Sequence, residues 1–155
     1  MTSKISIKVK TLQHFKGELP KYESLYSSGF DVRAQMKEPM ILKPGQRYLV
    51  PTALSFEIPL GYEIQARPRS GLAIKRGITL LNTPGTIDAD YRGEVKIIIA
   101  NMGSEDFVIN DQDRIAQLVI CPVFQAEFVK VDDLSETARG IGGFGSTGGS
   151  NQLNV

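Results

Sequence analysis

One cysteine, one histidine and no tryptophan stand among the 155 residues. A single thiol, Cys121, cannot close an intrachain disulfide, so a disulfide-stapled scaffold is excluded and a reducing compartment favoured. Within the apolar run VICPVF it reads as a small buried hydrophobe. With His14 as the sole imidazole, a structural zinc site or a serine-histidine triad has almost nothing to draw on. His14 is expected at the surface or in packing. No apolar run approaches the roughly 20 residues of a membrane span, and the start MTSKISIKV lacks a secretory hydrophobic region, which favours the cytoplasm. Charge of one sign is not in excess either: 18 Lys and Arg face 17 Asp and Glu, for a net charge of +1. Without a basic or acidic run there is no footprint for duplex nucleic acid or an anionic membrane, and any anionic ligand must be small and locally held.

What the chain does have is turn chemistry, with 15 glycines and eight prolines beside 41% hydrophobic residues. A single domain of this length buries about 70% of its unfolded surface in one core. Period-two alternation marks half-buried strands at Ile5, Ile7 and Val9 and at Leu54, Phe56 and Ile58. Further strands are expected at 62 to 66, 95 to 100, 107 to 109 and 115 to 120, separated by KPGQ, PLGY, TPGT, YRGE and NMGS. That spacing predicts an all-β sandwich, jelly roll or barrel. One short helix fits, over 70 to 77, capped by Ser70 and stopped by Gly77.

Composition changes at residue 139, with six of the 15 glycines in residues 140 to 155. Few groups there repay ordering entropy, so the expected organisation is a β domain over 1 to 138 and a mobile glycine-rich tail over 139 to 155.

Four stretches carry chemistry. In ARPRSGLA (66 to 73) two guanidiniums flank a proline turn, followed by a hydroxyl and a glycine amide at a helix start, a donor set matched to phosphate oxygens. A solvated turn is the bland alternative. In LLNTPGTIDADYRGE (80 to 94) Asn82 offers an amide to a base edge, Asp88 suits a general base and Tyr91 a stacking plate, against a merely polar hairpin. DRIAQL (113 to 118) places Gln117 within an apolar strand, where a glutamine ordinarily faces out. SSGFDVRA (27 to 34) sets Asp31 after a glycine turn and also passes as a loop.

In their joint order, and with the tail RGIGGFGSTGGS (139 to 150), these stretches resemble the five motifs of the trimeric deoxyuridine triphosphate nucleotidohydrolases, the dUTPases. The resemblance spans residues 27 to 147 and is most specific in RSGLA, NTPGTIDADYRGE and GGFGSTG. It implies a jelly-roll-like β fold and a homotrimer whose active sites are shared between subunits. It also implies hydrolysis of dUTP to dUMP and pyrophosphate, which keeps dUTP out of DNA and supplies dUMP for thymidylate synthesis.

Residue by residue, the resemblance makes Asp88 the base that deprotonates the attacking water and Gln117 its partner near the α-phosphorus. Arg69, Ser70 and Gly71 match the phosphate-binding segment. Mg2+ is implied on the triphosphate oxygens, completed mostly by water, with Asp31 at most in its outer shell. Asn82 is matched to the uracil edge, Tyr91 to the deoxyribose, and Thr86, Ile87 and Lys96 to the lining of the nucleotide site. Arg139 would meet the triphosphate and Phe144 would stack on uracil. Two departures stand out. Ser28 and Gly29 replace the usual Ala-Gly, and Gln112 stands where glycine is common, so the turn before Asp113 is expected to differ in backbone angle. Two other readings remain at this level: a dCTP deaminase-type relative on the same fold, and a catalytically silent nucleotide-binding jelly roll.

Overall fold

The computed structural model describes residues 4–143. Its contacts divide it into two units, with the boundary between Phe124 and Gln125. In the first, alternating apolar residues set the strands. They run β1 (Lys8–Thr11), β2 (Gly29–Arg33), β3 (Met40–Leu42), β4 (Arg47–Pro51), β5 (Leu54–Glu57) and β6 (Tyr62–Arg67). After helix α1 (Ser70–Arg76) come β7 (Ile78–Leu80), β8 (Gly85–Ile87), β9 (Lys96–Asn101), β10 (Phe107–Ile109) and β11 (Arg114–Pro122). The result is an all-β, jelly-roll-like fold. No helix among the described residues is long and apolar enough to cross a membrane.

The strands pair antiparallel in four sheets: β2-β11-β6-β8, β4-β9-β7, β1-β5 and β10-β3. Each larger sheet turns one face inward. Val32, Ile64 and Leu118 from the first meet Val50, Ile97 and Ile99 from the second in one core, all of them at most 1% exposed. At β11 the alternation is broken. Arg114 pairs with Arg33 and Ala116 with Val32, so Ile115 is an extra residue, a β-bulge. The bulge buries Ile115 and Ala116 side by side and puts Arg114 and Gln117 on the same outward face, although they are three positions apart.

The expected strands at 62 to 66, 107 to 109 and 115 to 120 are present with extensions of at most a few residues, whereas the first begins at Lys8. Helix α1 ends as expected on Gly77, whose φ is 65° and whose N–H bonds the Ala73 and Leu72 carbonyls. Its start differs: Arg69 is the N-cap, in extended conformation with no side-chain cap, and Ser70 is the first helical residue, exposed. Cys121 differs too. Downstream of the bulge it shares the outward face with Gln117 and lies half-buried, within 3.9 Å of the Val119 carbonyl, rather than in the core.

Gln112 does adopt the glycine-like angle, with φ 65°. The left-handed conformation costs a non-glycine residue about 1 kcal/mol or more, and three hydrogen bonds offset it. Gln112 N–H donates to the Ala34 carbonyl at 2.8 Å, its carbonyl accepts from Arg33 at 2.7 Å, and its Nε2 donates to Gln35 Oε1 at 3.1 Å. Ala53, at φ 54°, is the second such residue, and its N–H is held at 2.9 Å by Glu94 Oε1.

Glu94 is a hub. Its carboxylate also takes His14 Nε2 at 3.1 Å and pairs with Lys96 Nζ at 3.4 Å. Burial pushes its pKa up, but the Ala53 amide, His14 and Lys96 outweigh burial and hold it below the usual carboxylate range. His14 thus lies at the surface, as expected, with a partner no local pattern announces.

In the second unit, residues 125–143 form neither strand nor helix. Turns close around Arg139: Gly140 N–H donates to the Thr137 carbonyl and Gly142 N–H to the Arg139 carbonyl, both at 3.0 Å.

Two outcomes test this packing. A methyl at Gly77 would sit 2.5 Å from the Gly103 amide nitrogen in addition to occupying a left-handed angle, so Gly77→Ala should cost about 2–3 kcal/mol of unfolding free energy by denaturant titration. A carboxyl with a depressed folded pKa binds its proton more weakly in the native chain than in the unfolded one. Its stabilisation is therefore complete above the unfolded pKa and drains away as pH falls through the folded one. Glu94→Gln should flatten the stability profile below about pH 5; a profile parallel to wild type would contradict Glu94 as its source.

Candidate active site

The outward face of the largest sheet carries one cluster. Register places Asp31 of β2, Gln117 of β11 and Arg67 of β6 in one row across three strands. Because Phe30, Val32, Ala116, Leu118 and Ala66 face the core, these polar neighbours must face out. Asp31, whose stretch also passes as a loop in sequence, is thus a strand residue. Its Oδ1 accepts from Arg69 Nε at 3.0 Å and its Oδ2 from Arg114 Nη1 at 3.4 Å. Arg69 also reaches the Arg114 carbonyl at 3.3 Å, and Arg114 pairs with Glu23 at 3.4 Å. The Gln117 amide donates to the Pro68 carbonyl at 2.9 Å, fixing the turn before Ser70. Its Oε1 lies over Gly29, where a Cβ would come within 2.8 Å. Glycine at 29 therefore makes room for Gln117, whereas Ser28 is exposed.

Ser70 borders two clefts of this cluster. One, of about 450 Å³, adds Asp31, Arg69, Gly71, Lys75 and Gln117. The other, of about 480 Å³, adds Arg67, Pro68, Thr83, Pro84 and Gln117. Arg69, Ser70, Gly71, Gln117 and Asp31, nominated from separate motifs, are thus brought together.

The second cluster grows from the hairpin between β7 and β9. Gly85 is buried on β8, and a Cβ there would meet Asn82 Nδ2 at 2.8 Å, so the Asn82 side chain folds over its own turn. After β8 a turn closes from Tyr91 N–H to the Asp88 carbonyl at 3.1 Å. The Tyr91 ring crosses Gly93, and its hydroxyl donates to the Glu94 carbonyl at 3.0 Å. Thr86, Ile87, Asp88, Tyr91, Glu94 and Lys96 line one cleft of about 500 Å³, whose far wall is Leu49 and Ile98. Asp88 is exposed, at the start of that turn.

The two residues nominated as catalytic, Asp88 and Gln117, therefore line different clefts. Asn82 lines neither. Arg139 belongs to the second unit, where its Nε donates to the Gly142 carbonyl at 2.8 Å. Phe144 lies outside the described residues. Among the described residues no group of three His, Cys, Asp or Glu side chains is arranged to hold a metal ion, and both Asp31 oxygens are engaged by arginines. Sequence reasoning passed over Arg114 and Glu94. The first stands inside the quoted DRIAQL, but its odd spacing from Gln117 conceals the shared face that the bulge creates. The second reads as a turn acid until its partners, 41 and 80 residues away, are in place.

Comparison with known proteins shows the family. The dUTPase family model matches residues 16–148. A deoxyuridine 5'-triphosphate nucleotidohydrolase from Bdellovibrio bacteriovorus is 66% identical over 145 residues, covering 94% of this chain and 97% of that protein. One from Chlamydia pneumoniae is 58% identical over 135 residues, covering 86% and 93%. Among solved structures, the Staphylococcus bacteriophage 80alpha dUTPase with dUPNHPP superposes with a TM-score of 0.83 at 27% identity, covering 92% of this chain and 98% of that one. The row of Asp31, Gln117 and Arg67 on the large sheet and the hairpin that carries Asp88 both fall within the matched residues, and the chain belongs to the dUTPase family.

Proposed function

We propose that the chain hydrolyses dUTP to dUMP and pyrophosphate, as a homotrimer in the cytoplasm whose active sites are each completed by a second copy. The observation that carries this reading is the division of the polar groups: the hairpin cleft holds an exposed carboxylate, and the sheet face holds the hydroxyl, amide and guanidiniums, with neither holding both. Exposed apolar side chains also favour a multimer: Leu49 beside the hairpin cleft is 50% exposed, and in the second unit Phe128 is 95% exposed.

In this reading Asp88 of one copy takes the proton of a water as its oxygen attacks the α-phosphorus, with Gln117 of another holding the water. The bond to the α,β-bridging oxygen breaks, and the electron pair leaves with pyrophosphate. The Ser70 hydroxyl, Gly71 amide and Arg69 guanidinium receive that developing charge, a contribution of about 10²- to 10³-fold per well-placed donor. Arg69 comes to the phosphates already oriented by Asp31. Mg2+ fits a site with no protein ligand cluster if the phosphate oxygens and water carry it, with Asp31 in its outer shell; when bound it supplies charge neutralisation.

Uracil is selected at the hairpin. Asn82 and nearby backbone groups meet the base edge, and cytosine would leave them mispaired. Tyr91, braced on Glu94, packs on the deoxyribose, and Thr86, Ile87 and Lys96 line the sugar and phosphate side. From the tail, Arg139 meets the triphosphate and Phe144 stacks on the base.

Wild-type protein with magnesium should convert dUTP to dUMP and leave dCTP intact, as followed by mass spectrometry. Asp88→Asn should keep dUTP affinity while turnover falls by about 10²- to 10⁴-fold, since it removes the base and none of the phosphate contacts. Wild-type turnover in that variant would reassign the base.

A further inference from the structure

Of the two arginines flanking Pro68, the functional reading uses Arg69 and leaves Arg67 without a role. Their surroundings differ in a way that bears on a polyanion. Arg69 shares its charge with Asp31 at 3.0 Å, and Arg114 gives part of its own to the same carboxylate. Arg67 pairs with no carboxylate among the described residues. It donates instead to a neutral acceptor, Gln65 Oε1, through Nε at 3.2 Å and Nη2 at 2.6 Å. Gln65 is itself held, its Nε2 donating to Glu63 Oε1 at 2.6 Å, which leaves Glu63 one amide removed from the guanidinium.

The outward row Glu63, Gln65, Arg67 on β6 thus works as a bracket. It orients a cation at modest entropic cost without neutralising it. Arg67 is paired in register with Gln117 on β11 and lines the same cleft as Gln117 and Ser70. An oriented, uncommitted guanidinium beside a hydroxyl and an amide is suited to phosphate oxygens.

We propose that Arg67 is a further substrate-binding residue, which receives the pyrophosphate portion of the triphosphate. The inference rests on the reading of this site as one for dUTP. Of the two product halves, pyrophosphate carries the greater negative charge, so an unneutralised cation in this cleft discriminates in its favour over the monophosphate. The effect is chiefly on binding, because the terminal phosphate oxygens that Arg67 receives are already charged before the bond breaks, whereas the new charge develops at the bridging oxygen.

The test uses the full chain with Arg67→Gln, Arg67→Lys and, as a charge control, Lys43→Gln, an exposed turn residue outside both clefts. Calorimetry measures binding of magnesium pyrophosphate and of dUMP, and steady-state assays give KM and kcat for dUTP. Arg67→Gln should weaken pyrophosphate and raise KM by roughly tenfold, while kcat and dUMP affinity stay within about twofold. Arg67→Lys should fall between it and wild type, since it keeps the charge and loses the fork. The proposal is overturned if Arg67→Gln leaves pyrophosphate affinity and KM unchanged, weakens dUMP by the same factor, lowers kcat alone, or is matched by Lys43→Gln. If the wild-type protein leaves dUTP intact, the dUTP reading fails, and pyrophosphate binding by itself still decides the role of Arg67.

Discussion

The Asp31 carboxylate joins three parts of the chain that are distant in sequence: its own strand β2, the turn before α1 through Arg69, and the start of β11 through Arg114. Two guanidiniums packed against each other repel, and here one carboxylate with a separate oxygen for each makes their proximity favourable. Its side chain is 18% exposed, so the interaction is less screened than a surface pair. Removing it would leave two cations facing each other beside Ser70 and Gln117. That clamp orients Arg69 and Arg114, and the bulge aims Arg114 and Gln117 the same way.

A comparable role falls to Glu94 on the other side. It links the left-handed Ala53 turn, His14 and Lys96, and its carbonyl fixes the Tyr91 hydroxyl. The hairpin that carries Asp88 is thereby tied to the β5 side of the fold by a half-buried acid, while Asp88 itself is exposed. A rigid support under an exposed carboxylate is the arrangement a base needs if its substrate is to be delivered by a different surface. In the proposed reading, the chain builds the two halves of the site in separate clefts for a second copy to join.

The β class, the helix stop at Gly77 and the chemistry-bearing motifs were legible because each rests on local patterns: alternation at Leu54, Phe56 and Ile58, the left-handed glycine, ordered short stretches. Other features were not. Strands β3, β7 and β8 are three residues long and carry too little period to be seen. Asp31 read as a loop residue because the glycine before it signals a turn, whereas Gly29 is there to admit Gln117. Ser70 read as a cap because serine favours that position, but the cap falls on Arg69. Gln112 read as a misfit because its angle is unfavourable in isolation, and its three hydrogen bonds come from partners up to 79 residues away. The common cause is that register and long-range hydrogen bonding decide these positions, and neither leaves a local trace.

The central claim is that Asp88 acts with Ser70 and Gln117 of another copy. Mixing subunits of Asp88→Asn with subunits of Ser70→Ala, each inactive alone, tests it directly. If the site is shared, random assembly of equal amounts should restore about a quarter of wild-type activity, because that fraction of sites pairs an intact hairpin with an intact sheet face. Mixed assemblies no more active than the two parents would contradict the account and place the whole site within one chain.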